Sequence, residues 1–135
     1  AGTIYTQNQD GYFSSIVNSV FSSNSSVNLG GGAIGGYVFS ILNSDFNGNT
    51  AEDNGGAVYG GTIYLYNSTF TSNTAKQGGG AIYGGYLNIN NSDFISNSAS
   101  IGGAIYITGG INSISGSTFT SNSADRGGAI YVNGG

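Results

Sequence analysis

The stretch Asn67–Gly85, "NSTFTSNTAKQGGGAIYGG", decides the fold, because the chain writes it again and again. "NSDFNGNTAEDNGGAVY" (Asn43–Tyr59) precedes it, and "NSDFISNSASIGGAIY" (Asn91–Tyr106) and "GSTFTSNSADRGGAIY" (Gly116–Tyr131) follow it. The Phe of F-x-x-N falls at Phe21, Phe46, Phe70, Phe94 and Phe119, at steps of 25, 24, 24 and 25. The Ala of G-G-A falls at Ala33, Ala57, Ala81, Ala104 and Ala129. "GTIY" at Gly2–Tyr5 is a degenerate first copy, with Thr3 in the Ala place. A fixed period of this length is the mark of a repeat architecture.

Helical repeats need longer amphipathic segments than these. Here Gly pairs and Asn-Ser interrupt every 5 to 8 residues, which leaves short strands and tight bends. The reading is all-β: a parallel β-helix, or β-solenoid, of about five coils of roughly 24 residues, in one domain spanning 1–135 with no capping helix. The general preference for right-handed crossovers makes the coil right-handed. Each coil should hold two or three short strands.

Aligned copies give columns. Ile16, Ile41, Leu65, Ile89 and Ile114 form one aliphatic column, and Ile4, Ile34, Val58, Ile82, Ile105 and Ile130 a second. Both should point inward, with the five Phe stacked beside them. Asn18, Asn43, Asn67, Asn91 and Gly116 share tolerance of positive φ and predict a left-handed bend. Ser19, Ser44, Ser68, Ser92 and Ser117 follow, a hydroxyl suited to bonding a turn's backbone. Asn24, Asn49, Asn73, Asn97 and Asn122 predict an internal amide ladder. Ser26, Ala51, Ala75, Ala99 and Ala124 predict a tight corner. The longest interval between markers surrounds "QNQDGYF" (Gln7–Phe13), which should bulge outward.

Composition narrows function. Of 135 residues, 26 are Gly and none is Pro, Cys, Met, Trp or His. The absence of Met points to a trimmed or excerpted chain. The net charge of −4 comes from six acids and two bases, Lys76 and Arg126. Two cations build no phosphate-neutralising patch, so nucleic acid is not an expected partner. No run of 18 apolar residues exists, so no membrane-spanning segment is expected.

The paired signatures GGA[I/V] and FxxN resemble the repeats of the chlamydial polymorphic outer membrane proteins and of adhesin-like β-helix proteins of bacteria and archaea. The resemblance covers nearly the whole chain. It implies a right-handed parallel β-helix, secreted or at the cell surface, with adhesive or structural roles, and it transfers no catalytic residue. The chain departs from that family in having no C-terminal segment that reads as a membrane barrel.

No enzymatic constellation emerges, and no metal or cofactor is expected. Asp45 and Asp93 share a column two coils apart, with Thr69 between them. Paired carboxylates can cleave glycosides, but no base or His accompanies them, and they read as solvated turn acids. Glu52 and Asp53 form no repeating ligand set. "GGGAIGG" (Gly30–Gly36) lacks the Lys-Ser/Thr of a phosphate loop.

Three surface features remain. Tyr5, Tyr59, Tyr83, Tyr106 and Tyr131 form a column broken only by Gly35; it should face outward, as a stiffening ladder or as a stripe for glycans or a surface receptor. Asn24, Asn67 and Asn90 begin N-x-S/T sequons; Asn24 belongs to the ladder, which leaves Asn90 first and Asn67 second as acceptors. The ends are the third. An uncapped solenoid exposes unpaired N–H and C=O groups. Here "AGTIY" opens in the strand on which "GGAIYVNGG" stops. A second copy would place Gly2, Thr3, Ile4 and Tyr5 over the strand of Ile130 and Tyr131, Phe21 over Phe119 and Asn24 over Asn122. The expected function is therefore a non-enzymatic extracellular protein that assembles with itself head to tail into a filament or surface layer. The alternative is a stalk or passenger fragment of a cell-surface adhesin that binds a glycan or host receptor.

Overall fold

In the computed structural model, which describes residues 4–6, 14–28, 30–109 and 113–134, the sequence period becomes the turn of a parallel β-solenoid. Phe21 pairs with Phe46, Phe46 with Phe70, Phe70 with Phe94 and Phe94 with Phe119. Ile4, Ile34, Val58, Ile82, Ile105 and Ile130 are likewise joined in sequence. So are Ile16, Ile41, Leu65, Ile89 and Ile114. No helix occurs among the described residues. Gly2, Thr3 and the Gln7–Phe13 bulge lie outside them.

The coil has three strand-bearing faces. The broadest holds the nine-residue strands Ile34–Leu42, Val58–Tyr66 and Ile82–Asn90. Gly pairs were expected to interrupt strands, yet Gly35–Gly36, Gly60–Gly61 and Gly84–Gly85 lie within these. What they interrupt is the alternation. Val58 and Gly60 are buried, Gly61 and Thr62 are both half-exposed, and Ile63 and Leu65 are buried again. A Cβ on Gly60 would come within 2.9 Å of Ile63 Cγ1 and 3.0 Å of Phe39 Cε1. The bare glycine makes room for an inward column, Phe39, Ile63 and Leu87, that period-two reading does not reveal. In the next coil Ile107 stands opposite Gly84 and is itself buried.

The second face carries three-residue strands, Val20–Ser22 to Thr118–Thr120, with the Phe at each centre. Their rings stack in parallel, with centroids 4.6–5.1 Å apart. Fully burying such a side chain stabilises by roughly 1.5–3 kcal/mol. The third face is only two residues wide, at Ser25–Ser26, Thr50–Ala51 and Thr74–Ala75. Isolated bridges from Thr74 to Ser98 and from Ser98 to Ser123 continue it. In the small column Ser26, Ala51 and Ala75 close these strands just before a bend, Ala99 and Ala124 lie outside any strand, and Ala51, Ala75 and Ala99 point into the core.

Left-handed residues turn the chain between faces. Asn18, Asn43, Asn67 and Asn91 have φ of 49–51° and Gly116 has 57°, as their residue types imply. A second bend comes at Ser23, Gly48, Ser72, Ser96 and Ser121, with φ of 54–63°.

Candidate functional site

The end rungs owe their chemistry to the asparagine ladder. Asn49 donates both its backbone N–H (2.9 Å) and its Nδ2 (3.0 Å) to Asn73 Oδ1. The same Nδ2 also donates to Phe21 O at 3.0 Å, locking the amide to the preceding coil. The pattern repeats from Asn24 to Asn49, Asn73 to Asn97 and Asn97 to Asn122. The serines run the same way. Ser19 N–H donates to Ser44 Oγ, Ser44 to Ser68, Ser68 to Ser92 and Ser92 to Ser117, at 3.1–3.2 Å. Each Oγ donates in turn to the carbonyl two residues back.

Both ladders are polar. Among the described residues, no rung before Asn24 donates to its Oδ1, and no rung after Asn122 accepts from its backbone N–H. In these two ladders one end offers acceptors and the other donors. Core side chains are open there too. Ile4 is 50% exposed and Phe21, Phe119 and Ile130 are half-buried, whereas Phe46, Phe70 and Phe94 have no exposed surface. A Cβ on Gly103 would lie 2.1 Å from Gly128 O, but one on Gly128 meets nothing within 4 Å.

The tyrosine column faces outward as its alternation requires. Tyr59, Tyr83 and Tyr106 stack with centroids 5.2 and 4.9 Å apart, and Tyr131 follows at 5.1 Å, tilted by 34°. Inside the stack each ring face is covered by the next ring, so only edges and hydroxyls are available. Burial raises the Tyr83 phenol above its ordinary value of 10.0, helped by Tyr59, Tyr106 and Asp53. Arg126 lies over Tyr131, 5.1 Å from the ring centroid, and its Nη2 donates to the Tyr131 hydroxyl at 2.9 Å. Gly35 stands between Tyr5 and Tyr59 in register.

The acids do not converge. Asp45 and Asp93 flank Thr69 on one column, and Asp93 Oδ1 accepts from Thr118 Oγ1 at 2.6 Å. Glu52 pairs with Lys76 of the next coil. Asp53 Oδ1 accepts from Asn54 Nδ2 at 2.9 Å. Of the sequon residues, Asn67 is exposed at its bend. Asn90 is half-buried, its Nδ2 donating to Asn88 Oδ1 at 3.0 Å and its Oδ1 accepting from Ser115 Oγ.

Residues 43–65, 67–85, 91–108 and 116–133, more than half of the chain, match the Chlamydia polymorphic membrane protein repeat. The chain belongs to this repeat family. Each matched segment begins at or just after the left-handed bend: Asn43, Asn67, Asn91 and Gly116 are the φ-positive residues. Polymorphic membrane protein repeats imply a place at the outer membrane or cell surface. Neither a curated protein nor a solved structure matches the chain.

Proposed function

We propose that this polymorphic membrane protein repeat chain is a non-enzymatic extracellular building block that associates head to tail with further copies, as a filament or surface layer. The observation that carries the reading is the polarity of the two ladders. A second copy set in register brings Asn122 N–H and Nδ2 to Asn24 Oδ1, and Ser117 N–H to Ser19 Oγ. Phe21 then covers Phe119. The first Ile column has one rung more than the Phe column, so the added copy's Ile4–Thr6 strand falls at the level of Ile130–Val132 and must give way to it, which leaves Ile34 to cover Ile130. Like ends would set ladder donors against donors or acceptors against acceptors, so the ladders favour head-to-tail contact. Such a contact does not close on itself and grows as a fibre. A net charge of only −4 opposes it weakly.

Electron microscopy of the purified chain tests this. Fibres with a subunit rise on the order of 24 Å are expected, about five coils at the spacing of neighbouring strands. Gly128→Ala should leave the unfolding of the single chain unchanged, because its Cβ meets nothing. In a fibre the same Cβ would strike the rung of the next copy, so fibres should vanish. Wild-type chain that stays monomeric at high concentration overturns assembly. Family membership would then favour the second reading, a stalk segment of a surface adhesin that holds a glycan- or receptor-binding part away from the cell.

A further inference from the structure

The tyrosine column lacks one rung, and the gap is a cavity. Because residue 35 is glycine, no ring intervenes between Tyr5 and Tyr59. The space left is about 240 Å³, lined by Tyr5, Asn28, Gly30, Asp53 and Tyr59. Two glycines shape it. A Cβ on Gly30 would lie 2.3 Å from Tyr59 Cδ2, and one on Gly35 would lie 2.9 Å from Tyr5 Cδ2. Each ring thus rests on bare backbone. Tyr59 keeps its far side against Tyr83 at 5.2 Å, which fixes its orientation. Asp53 supplies the cavity's charge, its carboxylate steered by the Asn54 amide at 2.9 Å. Neither of the chain's cations lines the cavity. Lys76 is paired with Glu52, and Arg126 lies on Tyr131.

Aromatic faces attract cations through their quadrupole, and more strongly once water is excluded. A carboxylate beside them adds a Coulomb attraction that a neutral ligand does not feel. We propose that this cavity binds a small organic cation, an alkylammonium group of about the size of choline. A neutral sugar would gain from the rings and from Asn28 but would leave the Asp53 charge without a counterpart. The site needs no second copy of the chain, but Tyr5 also lies at the end that would meet one, so the titration is made on chain shown by light scattering to be monomeric and its outcome stays separate from that of assembly.

Calorimetric titration with choline, followed in parallel by tyrosine fluorescence, tests the site. Saturable choline binding is expected, and at least tenfold weaker binding of 3,3-dimethylbutan-1-ol, its neutral carbon isostere. Asp53→Asn should weaken choline by about tenfold, equivalent to about 1.4 kcal/mol, with thermal unfolding unchanged. Gly35→Tyr, which restores the missing ring, should abolish binding. The proposal is overturned if choline does not bind, if the neutral isostere binds as well, if Asp53→Asn has no effect, or if only neutral sugars bind.

Discussion

Asn73 shows how much one residue can hold in a solenoid. It has no exposed surface, and every polar atom of its amide is engaged. Its Nδ2 donates to Asn97 Oδ1 and Phe46 O, each at 3.0 Å. Its Oδ1 accepts from Asn49 N–H at 2.9 Å and from Asn49 Nδ2 at 3.0 Å. Removing the amide strands Asn49 N–H, the Asn49 side chain and Phe46 O in a water-free interior. Each buried group left unpaired costs about 1–3 kcal/mol. Asn73→Ala should therefore lose roughly 3–6 kcal/mol, a large part of the 5–15 kcal/mol that is usual for a domain. Asn122→Ala removes equivalent bonds on a half-exposed rung, where water can replace them, and should cost about 1–2 kcal/mol. Urea denaturation of the two variants checks this, and equal losses would contradict the ladder's energetic role. The ladder was legible in the sequence because its chemistry admits one residue type, so Asn recurs in all five copies. The second left-handed bend was not legible. Serine is uncommon at positive φ, and Gly48, alone among Ser23, Ser72, Ser96 and Ser121, was the single hint.

At the level of the strand, close stacking leaves some backbone positions no room for a side chain. A Cβ on Gly56 would lie 2.0 Å from Gly80 O and 2.6 Å from Thr74 O, both backbone atoms of the next coil. Their segments are held in turn by the coil beyond, through Gly80 N–H to Gly102 O and the Thr74–Ser98 bridge, so they have little freedom to retreat. Gly48 needs glycine for a different reason. Its φ is +63°, but a Cβ there meets nothing nearer than Ser23 Oγ at 3.9 Å. Gly48→Ala should cost only the left-handed penalty of about 1–2 kcal/mol. Gly56→Ala should cost about 3 kcal/mol or more, since it overpacks against backbone. Thermal melts of the two variants separate the causes; similar losses would mean that φ alone governs these positions. The same distinction limits what periodicity reveals. Phe, Ile and Ala columns are visible because their residues recur. The Phe39, Ile63 and Leu87 column mixes three residue types and follows a slip in alternation at the Gly pair. Counting by twos from Val58 puts Thr62 inside and Ile63 outside, the reverse of the structure. The cavity at Gly35 was half visible, as the break in the tyrosine column; Asp53 joins it only through the bend that brings its coil alongside.

For the whole molecule, the governing fact is that each coil touches only its neighbours. Stability is then close to a sum of coil terms and coil–coil interfaces, and what matters for folding is phase rather than length. Direction is the one molecular property that letters alone did not convey. Recurring Asn predicts a ladder but not which way its bonds run, and the opposite character of the two ends rests on that direction. Phase can be tested directly. Deleting Asn67–Asn90 removes one complete turn and joins Tyr66 to Asn91, so Phe94 stacks on Phe46 and Asn97 receives Asn49. The shortened chain should keep its β-sheet circular dichroism and a cooperative melt, at a lower temperature because one interface is gone. Deleting residues 67–78, half a turn, joins Tyr66 to Gly79. That removes Phe70 and Asn73 while leaving Ala81 and Ile82 half a turn out of register with every column below. This variant should have no cooperative transition, because its upper coils can cover the core only by exposing their own inward residues. A half-turn deletion that melts as sharply as the full-turn deletion would mean that the coils are not held together by stacked, equivalent residues.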